Sequence, residues 1–212
     1  MLETSLRWSL VIPVKVLALA KSRLTGLPGA RRAELALAMA ADAVSAASAC
    51  PAVDTVIVVT DDGAAAAELS GLGALVLPDE PGDGLNPALA FGAAYADERW
   101  PGRGRAGMAA DLPALGAAEL GRALAEAAQA KEAFVADAAG TGTTLYMATP
   151  GVAFSPRFGP GSREAHRSAG AVELLLPGLD GLRRDVDTID DLHDAARIGL
   201  GPHTSAVAGA LE

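Results

Sequence analysis

The sequence predicts an α/β fold with a mostly parallel central sheet and an α+β elaboration. Short apolar segments alternate with alanine-rich helical segments through residues 8–137, the pattern of strands joined by crossover helices. Half of the 212 residues are hydrophobic but only 4% are aromatic, so the core is expected to be Ala, Val and Leu packed closely. No internal repeat and no linker divides the chain. Residues 1–212 are therefore expected to form one domain, large enough to bury roughly 70% of the surface of its unfolded chain.

WSLVIPV (8–14) reads as a buried strand that stops near Pro13. A basic loop, VKVLALAKSRL, follows. A helix is predicted from about Pro28, which suits a first turn, to Ala47, with Pro51 ending the segment. TVIVVT (55–60) is the clearest strand. After Asp61 and Asp62 come a helix to about Leu72 and a short strand, ALVL (74–77). DEPGDG (79–84) is a loop by composition, and Asn86 to Trp100 is helical. GMAAD (107–111) is a strand of weak propensity, 117–130 a strong helix, and AFVAD (133–137) another strand. The glycine-threonine loop AGTGT leads into strand TLYMA (144–148). FGPGS (158–162) is a tight loop before a short helix around His166, and AVELLLP (171–177) reads as a strand. The last helix is expected after Thr188, where Thr188 and Asp191 make a capping-box pair. Gly199, Gly201 and Pro202 should stop it. In such sheets ligands bind at the carboxyl ends of the strands, which puts the basic loop, Asp61, Asp111 and Asp137 on one edge.

The net charge is −9, which argues against a nucleic-acid binder. Its distribution is uneven. Residues 1–32 carry six basic side chains (Arg7, Lys15, Lys21, Arg23, Arg31, Arg32) and one acid, while residues 33–98 carry no Lys or Arg. Two readings stay open here: a solvated helix face, or an anion site suited to phosphates. No apolar run reaches the ~20 residues of a membrane helix. The N-terminus, MLETSLRW, is not a secretory signal, so the cytoplasm is expected. Cys50 stands alone, which excludes an internal disulfide framework and a cysteine-based zinc site.

Candidate chemistry concentrates in four places. The basic loop holds Lys15, Lys21 and Arg23 but has neither a Walker A nor a dinucleotide fingerprint. Asp111, followed by Leu-Pro, places a carboxylate at the ligand edge, suited to a hard cation such as magnesium, or to an N-cap. AGTGTT offers backbone amides and hydroxyls that could hold an anion, and FGPGS ends in Ser162 at a helix start; each is alternatively an ordinary loop or cap. RRDVDT (183–188) sets Asp185 and Asp187 on one side of an extended stretch, where they repel unless a cation lies between them. His166, His193 and His203 read as packing or surface residues. Asp190, Asp191 and Asp194 are explained by the helix they begin.

VIPVKVLALAKSRL, TVIVVT, ADLPAL, FVADAAGTGTTL, FGPGS, GAVEL and LRRDVDT follow one another in this order across residues 8 to about 204. Together they resemble the phosphoenolpyruvate / 2-phospho-L-lactate guanylyltransferase family of coenzyme F420 biosynthesis. The resemblance implies a three-layer nucleotidyltransferase fold, Rossmann-like and of GT-A type. It implies transfer of GMP from GTP to phosphoenolpyruvate, or to 2-phospho-L-lactate, with release of pyrophosphate. By position it makes Asp111, Asp185 and Asp187 magnesium ligands, and Thr143, Gly159 and Ser162 the holders of the three-carbon phosphate. Lys15, Lys21 and Arg23 would meet the GTP phosphates. Hand-over of the product to the next transferase of the pathway is implied as well; a nucleic-acid or membrane partner is not. Ile189 departs from the pattern, which has proline after DVDT. Other readings are a molybdenum-cofactor or sugar-phosphate nucleotidyltransferase, which lacks support because the glycine-rich first loop is missing, and a non-catalytic GTP-binding partner protein.

Overall fold

Strands β1 (Trp8–Pro13), β2 (Val53–Val59), β3 (Leu75–Leu77), β4 (Gly104–Met108), β5 (Glu132–Ala136), β6 (Thr143–Ala148) and β7 (Val172–Glu173) join one sheet in the order β3-β2-β1-β4-β6-β5-β7. The computed structural model describes residues 6–17, 24, 28–79 and 81–209. Helices α1 (Gly29–Ser48), α2 (Gly63–Gly71), α3 (Leu85–Arg99) and α4 (Ala117–Ala127) connect the strands, and α5 (Ser162–Ser168), α6 (Asp180–Arg183), α7 (Ile189–Ile198) and α8 (Pro202–Ala208) complete the chain.

Every strand pair is parallel except those made by β6, which runs antiparallel to β4 and β5. The reason is connection length. Residues 137–142 between β5 and β6 are too few for a crossover, so β6 returns as a hairpin. It slots between β4 and β5, which point the same way because α4 joins them. The carboxyl ends of β1, β2, β4 and β5 and the start of β6 therefore share one edge.

All six β1 residues are buried because helices cover both faces. Leu10 and Ile12 pack with Val56, Val58, Leu145 and Met147 beneath α1 and α4. Val11 alternates to the other face, with Ile57, Val59, Phe134, Tyr146 and residues of α3.

The structure differs from the expected elements in four places. β4 ends at Met108, because beyond the Ala109 N–H bond to the Thr144 carbonyl (2.9 Å) β6 has no more ladder to offer. Asp111 thus lies in a loop, not on the strand. β7 keeps only two residues of the expected seven, since it has β5 on one side and no strand on the other; Leu175 beyond it is 75% exposed. α4 stops at Ala127. Finally, α7 is not the last helix. Gly201 and Pro202 end nothing further: they begin α8, whose His203 and Thr204 amides donate to Asp42 at 3.0 and 2.8 Å. Asp42 is a buried acid on α1, and this cap is its reason for being there. Among the described residues no helix is long and apolar enough to cross a membrane.

Candidate active site

The RRDVDT stretch is stitched into the sheet edge from both sides. It starts from α6, which Glu119 anchors. The Glu119 carboxylate accepts the Gly116 amide at 2.7 Å and also the amides of Gly181 and Leu182. Burial pushes its pKa up, and those amides partly oppose the shift. Gly181 has to be glycine: a Cβ there would overlap the Ala114 carbonyl oxygen and Glu119. Arg183 closes α6, so RRDVDT is not extended throughout. The chain then bends at Arg184 (φ −92°, ψ 84°), near an inverse γ-turn, with the Asp185 amide 3.3 Å from the Arg183 carbonyl.

Beyond the bend, the Val186 amide donates to the Asp111 carbonyl at 3.1 Å. On the other flank the Ala138 amide donates to the Arg183 carbonyl at 2.7 Å, and the Arg183 guanidinium to the Asp137 carbonyl at 3.1 Å. Residues 183–187 thus thread between the end of β4 and the end of β5. Val186 is fully buried beside Leu24, Leu35 and Leu192, while Asp185 and Asp187 on either side of it are half-buried.

This threading gathers carboxylates. The pKa of Asp185 rises to about 7, first through burial and then through the charges of Asp111, Asp137 and Asp187. Two arginines stand next in sequence without relieving it. Arg184 reaches away toward Asp191 (3.8 Å) and Asp194 (3.6 Å) of α7, and Arg183 binds a carbonyl. Asp191 itself is occupied in the expected capping box with Thr188, which lowers its pKa against the cost of burial.

A hard divalent cation fits this donor set. The candidate ligands are all carboxylate oxygens, and the like-charge crowding around Asp185 is what a cation relieves. Among the described residues no three acidic, His or Cys side chains already surround one point. Magnesium does not require such a cage, because it takes one or two carboxylates together with substrate phosphates and water.

The neighbouring loop, 137–142, follows the second of its two readings, an ordinary loop between strands. Asp137 accepts the Thr141 and Gly142 amides through its two oxygens, each at 2.8 Å, and its carbonyl takes the Gly140 amide. A Cβ at Gly142 would overlap that carboxylate. The backbone amides at 140–142 therefore already have partners. The start of α5 is similarly engaged: the Ser162 amide bonds to the Gly159 carbonyl and the Arg163 amide to the Thr141 carbonyl. Two hydroxyls lie at the same place. Ser162 Oγ is buried and has no hydrogen-bond partner among the described residues. Thr143 Oγ1 lies 3.0 Å from His166 Nδ1. Gly159 (φ 127°) and Gly161 (φ 72°) carry the tight loop between them.

Asn86 fixes that loop from α3. Its side chain donates to the Phe158 carbonyl (3.0 Å) and accepts the Phe158 amide (2.7 Å), so it braces FGPGS. On the far side of the edge, Lys15 is exposed just after β1. Asp62 accepts the Leu17 amide and the Ala64 and Ala65 amides, capping α2 and tethering the base of the basic loop at once. Lys21 and Arg23 lie outside the described residues. Asp61 accepts the Asp79 amide and ties β2 to β3.

Glu119, Asn86 and His166 are the supports that sequence reasoning missed as such. Only Glu119 had a local signal, an acid in the first turn of a helix; the partners of the other two are dispersed along the chain.

The chain resembles known proteins throughout this frame. The family model described as "Guanylyl transferase CofC like" matches residues 8–200. The phosphoenolpyruvate guanylyltransferase of Thermomonospora curvata is 61% identical over 209 residues, covering 99% of this chain and 92% of that protein. That of Streptomyces coelicolor is 54% identical, covering 97% and 98%. Among solved structures, 4-diphosphocytidyl-2C-methyl-D-erythritol synthase superposes with a TM-score of 0.57 at 11% identity, covering 91% of this chain and 99% of that one. A Mycobacterium tuberculosis H37Rv protein solved as a manganese complex gives 0.52 at 19% identity, covering 91% and 98%. These last two speak for the nucleotidyltransferase fold. On the family match and these identities, the chain belongs to the CofC-like guanylyl transferase family.

Proposed function

We propose that this chain transfers the GMP unit of GTP to phosphoenolpyruvate in coenzyme F420 biosynthesis, releasing pyrophosphate and handing enolpyruvoyl-2-diphospho-5'-guanosine to the next transferase. The observation that carries this is the threading of residues 183–187 between β4 and β5, which sets Asp185 among the charges of Asp111, Asp137 and Asp187. The names of the relatives support the choice of substrate. The reading takes residues 1–212 as one guanylyltransferase domain, supported by the single sheet.

In this reading a phosphate oxygen of phosphoenolpyruvate attacks the α-phosphorus of GTP. The bond from that phosphorus to the β-bridging oxygen breaks, and pyrophosphate leaves with its electron pair. The phosphate nucleophile is already ionised near neutral pH, so the chain needs no general base. Both reactants are anions, and the residues act mainly against that repulsion. Asp111, Asp185 and Asp187 would hold magnesium, which when bound neutralises phosphate charge and polarises the reacting phosphorus. Lys15, Lys21 and Arg23 meet the GTP phosphates. Thr143, Gly159 and Ser162 hold phosphoenolpyruvate, with the two hydroxyls as donors.

The test is direct. Purified protein with GTP, magnesium and equal phosphoenolpyruvate and 2-phospho-L-lactate should release pyrophosphate and yield the phosphoenolpyruvate adduct by mass. A dominant 2-phospho-L-lactate adduct would reassign the acceptor. GTP binding with no pyrophosphate release from any small phosphate would make the chain a non-catalytic binder.

A further inference from the structure

Thr143 reaches the site because β6 carries a bulge. Along the β5–β6 ladder Val135 pairs with Leu145, but Ala136 pairs with Thr143, so Thr144 is passed over. Simple alternation would put Thr143 on the Leu145 and Met147 face. The extra residue reverses the phase. Thr143 instead lies across from Ala136 on the face of Phe134 and Tyr146, and there it meets His166.

The His166 ring is held on every side. It is 1% exposed, stacks on Tyr146 (centroids 4.8 Å, 20°) and Phe134 (5.4 Å, 29°), and meets Phe158 edge-on. Its Nε2 receives the Arg157 amide at 2.9 Å. A backbone amide can only donate, so Nε2 is the acceptor nitrogen and the neutral ring carries its proton on Nδ1. Burial keeps the ring neutral by lowering its pKa to about 4, the Ser162 backbone opposing and the Arg157 charge adding. The Nδ1 proton faces Thr143 Oγ1 and the Ser162 backbone. Thr143 Oγ1 is then an acceptor toward the ring, and its own proton is left to point elsewhere. Ser162 stands one turn before His166 on α5, on the same face, with its hydroxyl buried and without a partner among the described residues.

We propose that His166 is a positioning residue that holds the Thr143 hydroxyl as a hydrogen-bond donor to the anionic three-carbon substrate. This rests on the proposed function, in which phosphoenolpyruvate takes the GMP unit. With its proton on Nε2 instead, the ring would draw the Thr143 proton to itself and leave the substrate facing lone pairs.

Wild type, Thr143→Val, His166→Phe and the double variant are compared by pyrophosphate release. Each single change should raise KM for phosphoenolpyruvate about tenfold, the loss of one hydrogen bond to a charged group, and leave KM for GTP within about twofold. The double variant should be no worse than either single one. Independent, multiplying losses would overturn the proposal. His166→Gln, able to donate to Thr143 and accept from Arg157, should recover most of the KM; no recovery beyond His166→Phe would count against it. Should His166→Phe not fold, the ring nitrogens of the wild-type protein are read by 15N NMR between pH 6 and 8. Protonated Nδ1 with bare Nε2 supports the assignment, and any other form overturns it. Wild type that ignores phosphoenolpyruvate would sink the proposed function, while the ring spectrum still decides the His166–Thr143 link.

Discussion

The turn after β2 and the turn before α7 both present aspartates at the carboxyl edge of one sheet, and the two regions treat them in opposite ways. Asp62 receives the amides of Leu17, Ala65 and Ala64, and the Leu17 amide leads in holding its pKa below the ordinary carboxylate range. Among the described residues Asp185 has its own backbone amide in its favour, against burial and three neighbouring carboxylates, and its pKa climbs to about 7. The first acid is a piece of scaffold, complete as folded. The second is crowded by like charges, which favours a cation. A carboxylate's role is therefore read from what donates to it, not from its place on the edge.

The sharpest way to break this contrast is to neutralise each acid. Asp185→Asn or Asp187→Asn should lower pyrophosphate release by about a hundredfold or more, while Asp62→Asn should keep most turnover; equal losses at both sites would erase the distinction. Next in size, Gly181→Ala should destabilise the fold by about 3 kcal/mol in chemical denaturation, because the Cβ meets the Ala114 backbone. It should cost turnover as well, since α6 aims Asp185. Asp62→Ala should cost about 1–2 kcal/mol, the usual worth of a helix cap, with the tether at Leu17 lost too.

The last effect is in pH, and it has opposite signs in the two regions. The folded Asp185 carboxyl keeps its proton up to about pH 7, whereas unfolded it ionises near 3.8. Between those values the folded state binds more protons, so its contribution to the stability of the metal-free protein falls as pH rises through that window. Asp62, lowered on folding, contributes stability that is present above its unfolded pKa and is lost as pH falls. Melting curves of wild type and Asp185→Asn should therefore coincide near pH 4 and separate by pH 8, the variant being higher without metal. Added magnesium should raise the wild-type melt more at pH 8 than at pH 5. Curves that stay parallel across pH would contradict the crowding of Asp185.

Much of this arrangement was legible in the sequence because it is local. The β–α alternation, the TVIVVT strand and the Thr188–Asp191 box depend on neighbours a few residues apart, and all three stand in the structure. The grouping of Asp111 with Asp185 and Asp187 was legible only through the family resemblance; no spacing announces a contact between residues 111 and 186. The bulge at Thr144 left no trace, because it shifts phase without changing composition. The glycine-threonine loop stayed open between two readings for a related reason: glycine frees amides, and here Asp137, at the head of the same loop, takes them. His166 reads as an ordinary helical residue until Phe134, Tyr146 and Phe158 close around it.

The Asp42 cap on α8 has a consequence for the way the fold closes. α1 follows the first strand, and its carboxylate takes amides 161 and 162 positions later in the chain. Burying that acid without them would cost free energy, so the seam along α1 favours water until α8 docks. The segment at 202–208 thus completes a seam that α1 opens.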